Sequence, residues 1–447
     1  MMPVQLSPQW PPARRAWWAV VVFFFAAMLS YTDRQILLIL IDPVRGELAL
    51  SDTQVGLLQG LAFALVYSIA GLPLGRAADL LPRKIVILSG VLVWSAATVA
   101  CALSQSFGSL FVARLFVGVG EACLAPAALS MIADSLPPKR RGAGIGVFVL
   151  GMVVGSGVAV MAGGGVLQAV QQGLLSGMPY MGALSPWRAV MILMAVPGLV
   201  LAALLLTVAE PVRRTHEEDA AAGAVSIRAV LRFFSEHRTR LLPLYLGMAT
   251  MAVAENAVLS WIPALLSRNF GMRPADIGAE YGGALIVSAA IGIVAGSMLA
   301  DYLVARHGVR GRYGLLAAGA AAALPGLLAG GATSSTGVIA LASLFCMLSS
   351  ATGTIALTAI QEIVPNQMRG VASALSSVGN ILVGVSLGAV LTPWVDARLF
   401  AAGGRLDLSM MIASLPLGGV AVMLFWRLLA VTSAPTSNFT KEVTYET

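Results

Sequence analysis

Charge is what this sequence has least of. Only 11% of its 447 residues are Asp, Glu, Lys or Arg, against about 25% in an ordinary soluble chain. Hydrophobic residues make up 58%, and the mean hydropathy is +0.86, so a water-soluble domain of this length is excluded. Cysteine is scarce as well. Cys101, Cys123 and Cys346 all fall inside apolar runs, with no Cys-x-x-Cys pair or Cys/His cluster, and neither a disulfide framework nor a metal site is expected. The three histidines, His216, His237 and His307, sit in polar connections away from any membrane nucleophile and from any HExxH helix. Hydrolytic and zinc chemistry thus lose their support. No enzyme activity, metal or cofactor is expected.

What the chain has in abundance is apolar stretches long enough to cross a bilayer, each needing about 20 residues. They divide it into twelve spans, at 16–41, 53–74, 84–104, 108–133, 143–170, 188–209, 241–266, 279–300, 313–331, 336–363, 370–394 and 408–431. Continuous apolar runs exclude the alternating pattern of an outer-membrane barrel. The expected fold is all-α and polytopic. Basic residues test the topology independently: with the N-terminus inside, twenty Lys and Arg fall in cytoplasmic segments and six outside, leaving Arg34 and Arg114 within the membrane. That bias obeys the positive-inside rule and places both termini in the cytoplasm. It also accounts for the net charge of +7 without nucleic acid, because the basic residues are scattered through short connections rather than gathered on one face. The segment Met1–Arg15 precedes a span too long for a signal h-region and lacks a cleavage site, so a retained first helix is expected.

The longest connection, 210–239, reads as a cytoplasmic linker ending in a short interfacial helix with Arg228 and Arg232 one turn apart. It separates an N-terminal unit, 1–209, from a C-terminal unit, 240–447, that ends in a short cytoplasmic tail. The two units repeat. One constant offset carries Gly56 onto Gly278, Gly60 onto Gly282 and Asp79 onto Asp301, and a slightly different one carries Pro137 and Arg141-Gly142 onto Pro365 and Arg369-Gly370. Duplication of a six-helix unit is the natural account.

Buried charge is the first pointer to function. An Asp or Arg at the centre of a span costs about 2.5–3.5 kcal/mol even on insertion scales, so such residues are paired or face a watery cavity. Asp33 and Arg34 lie side by side in the first span, while Arg114, Gly118 and Glu121, spaced by four and three, share one face of the fourth. At about 1.5 Å per residue Arg34 lies roughly 27 Å along from Ala16, toward the outer side, where Asp52 begins the second span. Asp33, Arg34, Asp52, Arg114 and Glu121 are therefore expected to form one exchangeable network whose protonation biases the direction of opening. A structural ion pair at Asp33-Arg34, and a helix cap at Asp52, are the alternatives.

The connection Gly75-Arg-Ala-Ala-Asp79-Leu-Leu-Pro-Arg83-Lys84 resembles the gating signature of the major facilitator superfamily, with Leu80 and Pro82 in place of its usual basic residue and glycine. Asp79 is expected to pair near a helix end while Arg83 and Lys84 remain in the cytosol. Arg114-Leu-Phe-Val-Gly118-Val-Gly120-Glu121 is similar to the superfamily's fourth-helix signature, whose buried arginine is linked to proton coupling. Tyr31-Thr-Asp33-Arg34, Gly56-Leu-Leu-Gln59, Trp94-Ser-Ala-Ala-Thr98 and Gly155-Ser-Gly157 resemble the Spinster branch, and the chain looks like a bacterial member of it. The resemblance implies two pseudo-symmetric six-helix bundles in the bacterial inner membrane, working by alternating access around a cavity lined by the first, fourth, seventh and tenth helices. In animal relatives it implies lysophospholipid or sphingosine phosphate cargo. Cavity candidates are Tyr31, Glu255, Asn256, Trp261, Thr354, Thr358, Gln361 and Asn380, giving a wall charged in the first half and largely apolar in the second. The expected activity is proton-coupled transport of a small amphipathic molecule by a monomer in the lipid bilayer. A broad drug or organic-anion carrier and a transporter-like membrane sensor are the alternatives.

Overall fold

A computed structural model describes residues 10–213, 227–365, 368–400 and 404–433. The expected tail beyond 433, and 214–226 of the expected linker, lie outside the described residues. Among the described residues there is no strand, and twelve helices are long and apolar enough to cross a membrane. They are α1 (Ala13–Glu47), α2 (Asp52–Gly71), α3 (Arg83–Leu103), α4 (Phe107–Ser135), α5 (Pro138–Gln171), α6 (Pro186–Thr207), α7 (Arg238–Phe270), α8 (Pro274–His307), α9 (Val309–Gly331), α10 (Ser335–Ile363), α11 (Val371–Leu399) and α12 (Leu406–Val431). The helical run of α2 continues to Leu80. Their starts follow local chemistry. Ser51 and Ser106 close capping boxes with Gln54 and Ser109, and Pro138, Pro186 and Pro274 occupy first-turn positions that have no amide partner to lose. The expectation that Asp52 itself caps α2 is corrected: Ser51 is the cap and Asp52 the first helical residue.

Four of the long helices are interrupted in mid-course: α1 at Ile36, α2 at Gly60, α4 at Cys123 and α7 at Ser260-Trp261. A π segment, Gly379–Val385, widens α11, and another, Gly278–Gly282, widens α8. Such interruptions release backbone groups for tertiary bonds, which in a membrane must be satisfied within the protein.

The packing repeats across the two halves. In the first, α1 lies on α5, α2 on α4 and α3 on α6; in the second, α7 lies on α11, α8 on α10 and α9 on α12. The halves meet where α2 crosses α11 and where α8 crosses α5, and glycine makes both crossings. A Cβ added to Gly56 would stand 2.5 Å from the Ala389 carbonyl oxygen, and one on Gly60 2.7 Å from that of Val385. Their repeat counterparts do the same on the other side: Gly278 would meet the Val160 carbonyl at 2.8 Å and Gly282 that of Gly157 at 2.9 Å. Backbone thus packs directly on backbone, as small residues permit between membrane helices.

Further along the same helices contact is lost. Gly71 and Gly75 of the α2 run, and Gly142 and Gly146 of α5, have no atom within 4 Å of an added Cβ. The molecule is closed at the end carrying Asp52 and splayed at the end carrying Arg83, termed the basic end below. Valine at Gly56 or Gly278 should destabilise the closed arrangement by about 1–3 kcal/mol through overpacking, read as a lower melting temperature in detergent. Gly75→Ala should leave melting unchanged; equal melting of all three with the parent chain would refute the seam.

Candidate functional site

The buried charges of the first half converge at the interruptions of α1 and α4. Arg34 donates from Nη2 to Glu121 Oε2 at 3.0 Å, and Ser30 Oγ donates to the same oxygen at 2.8 Å. The Arg34 guanidinium is stacked among three rings, 4.4 Å from the centroid of Tyr31, 4.1 Å from Phe63 and 5.0 Å from Tyr67. Arg114 uses its fork differently, donating to the backbone carbonyls of Asp33 at 3.1 Å and Arg34 at 3.0 Å, just before the break at Ile36. A guanidinium thereby replaces the partners that an interrupted helix gives up. All four side chains are buried. Among the described residues Asp33 Oδ1 and Glu121 Oε1 have no hydrogen-bond partner.

The structure therefore brings together Asp33, Arg34, Arg114 and Glu121 of the expected network. Glu121 answers Arg34, and Arg114 reaches the Asp33 backbone. Asp52 is corrected out of the group. It lies at the mouth of the closed end, where Arg268 of α7 forks onto it at 2.9 and 3.0 Å and also bonds Asp42 at 2.7 Å, with Arg45 3.1 Å from Asp52. Arg34 cannot serve it, because the rings of α2 hold that guanidinium in the bundle interior. The Arg268 clamp joins the two halves across the closed end.

At the basic end the signature residues exchange roles. Asp79, expected to latch, is exposed, with Arg76 3.7 Å from its carboxylate, and Arg213 donates to its backbone carbonyl. Arg83, expected in the cytosol, is buried: it pairs with Asp134, bonds Glu210 at 2.9 Å and Ser130 at 2.8 Å, and donates to the Pro211 carbonyl at 3.0 Å. Lys84 donates from Nζ to the Leu206 carbonyl at 2.6 Å. The cause is α3's start: the chain turns in at Pro82, so Arg83 opens the helix facing the end of α4. Gly75 serves no close approach. Arg312 of α9, also expected in a cytoplasmic connection, is likewise buried and pairs with Glu362 at the end of α10. Each bundle thus ties the start of its third helix to the end of its fourth.

A cavity of about 530 Å³ lies between the bundles. Tyr31, Glu255, Thr354 and Asn380 line it as expected. Asn256, Trp261, Thr358 and Gln361 are not among its lining residues and are corrected: Trp261 is fully buried with its Nε1 on the Ala389 carbonyl at 3.0 Å, and Asn256 bonds the Ala252 carbonyl at 2.9 Å. Thr358 bonds the Thr354 carbonyl, and Gln361 reaches Ser373 at 3.4 Å. The second-half wall is largely apolar, as expected, with Ser349, Ser350, Thr352, Ser373 and Ser377 set among Met251, Leu357 and Phe425, whereas the expected charged first-half wall is corrected: Tyr31 and Val149 are the first-half residues in the lining, because Asp33, Arg34, Arg114 and Glu121 are turned into the bundle interior. Glu255 accepts from Ser349 Oγ at 2.6 Å and is the single carboxylate among the lining residues, which include no Arg, Lys or His. Tyr31 alone belongs to both places, lining the cavity while its ring stacks on Arg34.

Asp134, Glu210, Arg268, Ser30, Phe63, Tyr67 and Ser349 escaped sequence reasoning. The repeat held a signal for some of them. The offset that carries Pro137 onto Pro365 carries Asp134 onto Glu362 and Glu121 onto Ser349, and the offset of the glycines carries Asp33-Arg34 onto Glu255-Asn256.

A model of the Major Facilitator Superfamily matches residues 23–388. An MFS-type efflux pump of Mycolicibacterium smegmatis is 29% identical over 293 residues, 66% of this chain and 64% of that protein. The sphingosine-1-phosphate transporter SPNS2 of Xenopus tropicalis is 27% identical over 243 residues, 54% of this chain and 44% of that one. The chain thus spans less than two thirds of the length of either relative. Among solved structures, a bacterial homologue of the human lysosomal transporter Spinster, in an inward-facing and unoccupied conformation, aligns with a TM-score of 0.75 and 25% identity over 94% of this chain and 96% of that one.

The buried pair makes its own prediction. Arg34→Ala leaves the Glu121 carboxylate without its counter-charge and should destabilise the fold by about 3–5 kcal/mol, read as a fall in melting temperature in detergent. The double variant Arg34→Ala/Glu121→Ala should recover part of that loss; additive losses would mean that the two charges do not interact.

Proposed function

The chain belongs to the Major Facilitator Superfamily, a family of membrane transporters, and on that premise we propose that it is a proton-coupled secondary active carrier for a lipid-like, amphipathic molecule. Two bundles, 1–209 and 240–447, joined by the linker 210–239, rock about the central cavity as a monomer. The observation that carries this reading is the position of Tyr31, which lines the cavity and has Arg34, the partner of Glu121, over its ring. A molecule in the cavity acts on that pair through one ring. A proton acts on it directly, because Asp33 Oδ1 and Glu121 Oε1 are buried with no hydrogen-bond partner, and neutralising Glu121 releases Arg34.

The cavity supports an amphiphile rather than a sugar or an organic anion. Its serine and threonine hydroxyls sit beside Met251, Leu357 and Phe425, and its carboxylate, with no cationic side chain among the lining residues, favours a neutral or cationic head. Similarity to sphingosine-1-phosphate transport in SPNS2 supports a lipid-like cargo; similarity to an efflux pump supports the broad drug carrier as the second reading. The positive-inside rule orients the basic end to the cytoplasm of a bacterial inner membrane, with both termini there, which makes the splayed form inward-open. A transporter-like sensor would bind cargo without moving it.

Proteoliposome uptake with and without an imposed proton gradient tests the coupling. Asp33→Asn and Glu121→Gln should abolish gradient-driven accumulation while counterflow exchange persists, and Asp52→Asn should keep the gradient dependence. Unchanged gradient dependence in both interior variants would overturn proton coupling through these acids.

A further inference from the structure

Beside the cavity, on the other side of the line where α7 meets α11, runs an apolar groove of about 420 Å³, lined by Leu242, Tyr245, Leu246, Ala249 and Val378 among others. A second stretch of about 400 Å³ continues it past Leu246, Ala249 and Val383 toward Trp394. Neither stretch has a first-half residue in its lining. Several of these side chains, Leu242, Leu246 and Val378 among them, are exposed, so at span depth the groove meets acyl chains rather than water.

The groove exists because α7 and α11 diverge. Near the closed end they touch: a Cβ added at Gly388 would lie 2.6 Å from the Val253 carbonyl oxygen, and one at Gly384 2.6 Å from the Ala252 side chain. At Gly379, one turn nearer the basic end, the closest atom is the Ala249 Cβ at 4.0 Å. The π segment Gly379–Val385 occupies the place where α11 leaves its neighbour, and such wide turns alter local packing. Along this opening seam Met248, Ser376 and Asn380 line both the cavity and the groove. Met248 is the adaptable member, a flexible unbranched side chain.

We propose that this seam is a lateral portal, with the polar head of the transported amphiphile held in the cavity and its single alkyl chain lying in the α7–α11 groove. The inference rests on the amphiphile reading above and adds where the tail goes. Its physical basis is the contrast between the two compartments. The cavity wall sets several hydroxyls and the Glu255 carboxylate among its apolar side chains, whereas the groove, with Arg238 at its basic end and Ser376 and Asn380 on the shared seam, is otherwise apolar. A chain in the groove exchanges lipid for protein surface of equal apolarity, while one drawn into the cavity would be exposed to water and hydroxyls. The head therefore crosses with its tail still in hydrocarbon.

The test uses the full chain in proteoliposomes and two probes with one head, hexadecylphosphocholine and hexylphosphocholine, plus a hexadecylphosphocholine carrying a terminal diazirine. Photolabelling should mark peptides containing Leu242–Ala249 and Leu375–Val383, and excess unlabelled hexadecylphosphocholine should remove the mark. Absence of labelling there, or equal labelling by a diazirine diacyl lipid that the single-chain probe fails to displace, overturns the portal and makes the groove a resting place for bilayer lipid. Ala249→Phe, which fills the groove, should slow hexadecyl uptake about tenfold, the factor produced by exposing about two methylenes, and leave hexyl uptake unchanged. Equal slowing of both probes also overturns it. Labelling reports the portal even where no uptake occurs, whereas absence of uptake of both probes by the parent chain tells against the amphiphile reading, so the two failures are distinct.

Discussion

A guanidinium inside a membrane must be answered within the protein, and the first bundle is organised around answering two. Each costs about 2.5–3.5 kcal/mol at a span centre on insertion scales, which makes an unpartnered position untenable when two occur together. Arg114 is answered by the carbonyls that precede the interruption of α1, and Arg34 by Glu121, which Ser30 also bonds, and by three aromatic rings. The interruptions of α1 and α4 flank this group. Regular helices would keep those carbonyls to themselves, so the breaks and the arginines require one another.

The second bundle shows what the same frame looks like once that requirement is relaxed. Glu255 and Asn256 stand at the repeat positions of Asp33 and Arg34, and Ser349 at that of Glu121. Glu255 bonds Ser349 across the same pair of helices, α7 to α10, that mirrors α1 to α4. With no arginine at the repeat position of Arg34, the second bundle needs no aromatic cage there, and its inner wall is left open, largely apolar with hydroxyls set into it. The division of labour between a sealed charged half and an open cavity wall follows from which copy kept its guanidinium. The common frame persists at the basic end, where Arg83–Asp134 and Arg312–Glu362 make the same tie in each copy.

How much of this is legible in the sequence depends on the range of the interaction. Spans, their number and the duplication rest on hydropathy and period, which are local, and the twelve helices follow the expected segments closely. Buried Asp33, Arg34, Arg114 and Glu121 announce themselves because charge in an apolar run is conspicuous. The pairing among them is not legible, since it depends on helix rotation and on the break at Ile36, which no nearby proline or glycine marks, although Pro126 does mark the one at Cys123. Asp52 and Arg83 fail for a related reason. Each sits at a helix end, where a shift of a residue or two decides whether a side chain faces solvent, the neighbouring bundle or the core. Trp261 shows the converse error, for a large polar-tipped ring near a cavity acceptor is as well used in joining α7 to α11. Where the repeat aligns two such ends, as at Asp134 and Glu362, the ambiguity disappears, because both copies must place the charge alike.

The magnitudes available at Tyr31 and Glu121 bear on why a carrier of this design would need both ligands. Moving a two-state equilibrium from 1:99 to 99:1 takes about 5.5 kcal/mol of differential binding. A cargo that reaches the charge network only through Tyr31 works through a stacked cation, worth about 2 kcal/mol or somewhat more when desolvated. A proton that removes the partner of a buried Arg34 acts on an interaction whose loss is worth about 3–5 kcal/mol. Either alone leaves both orientations populated; together they reach the threshold. In the proposed cycle the ring between cavity and ion pair therefore sets the coupling. A direct salt bridge from cargo to Arg34 would let cargo drive the change by itself, and placing Tyr31 between them prevents that uncoupled step.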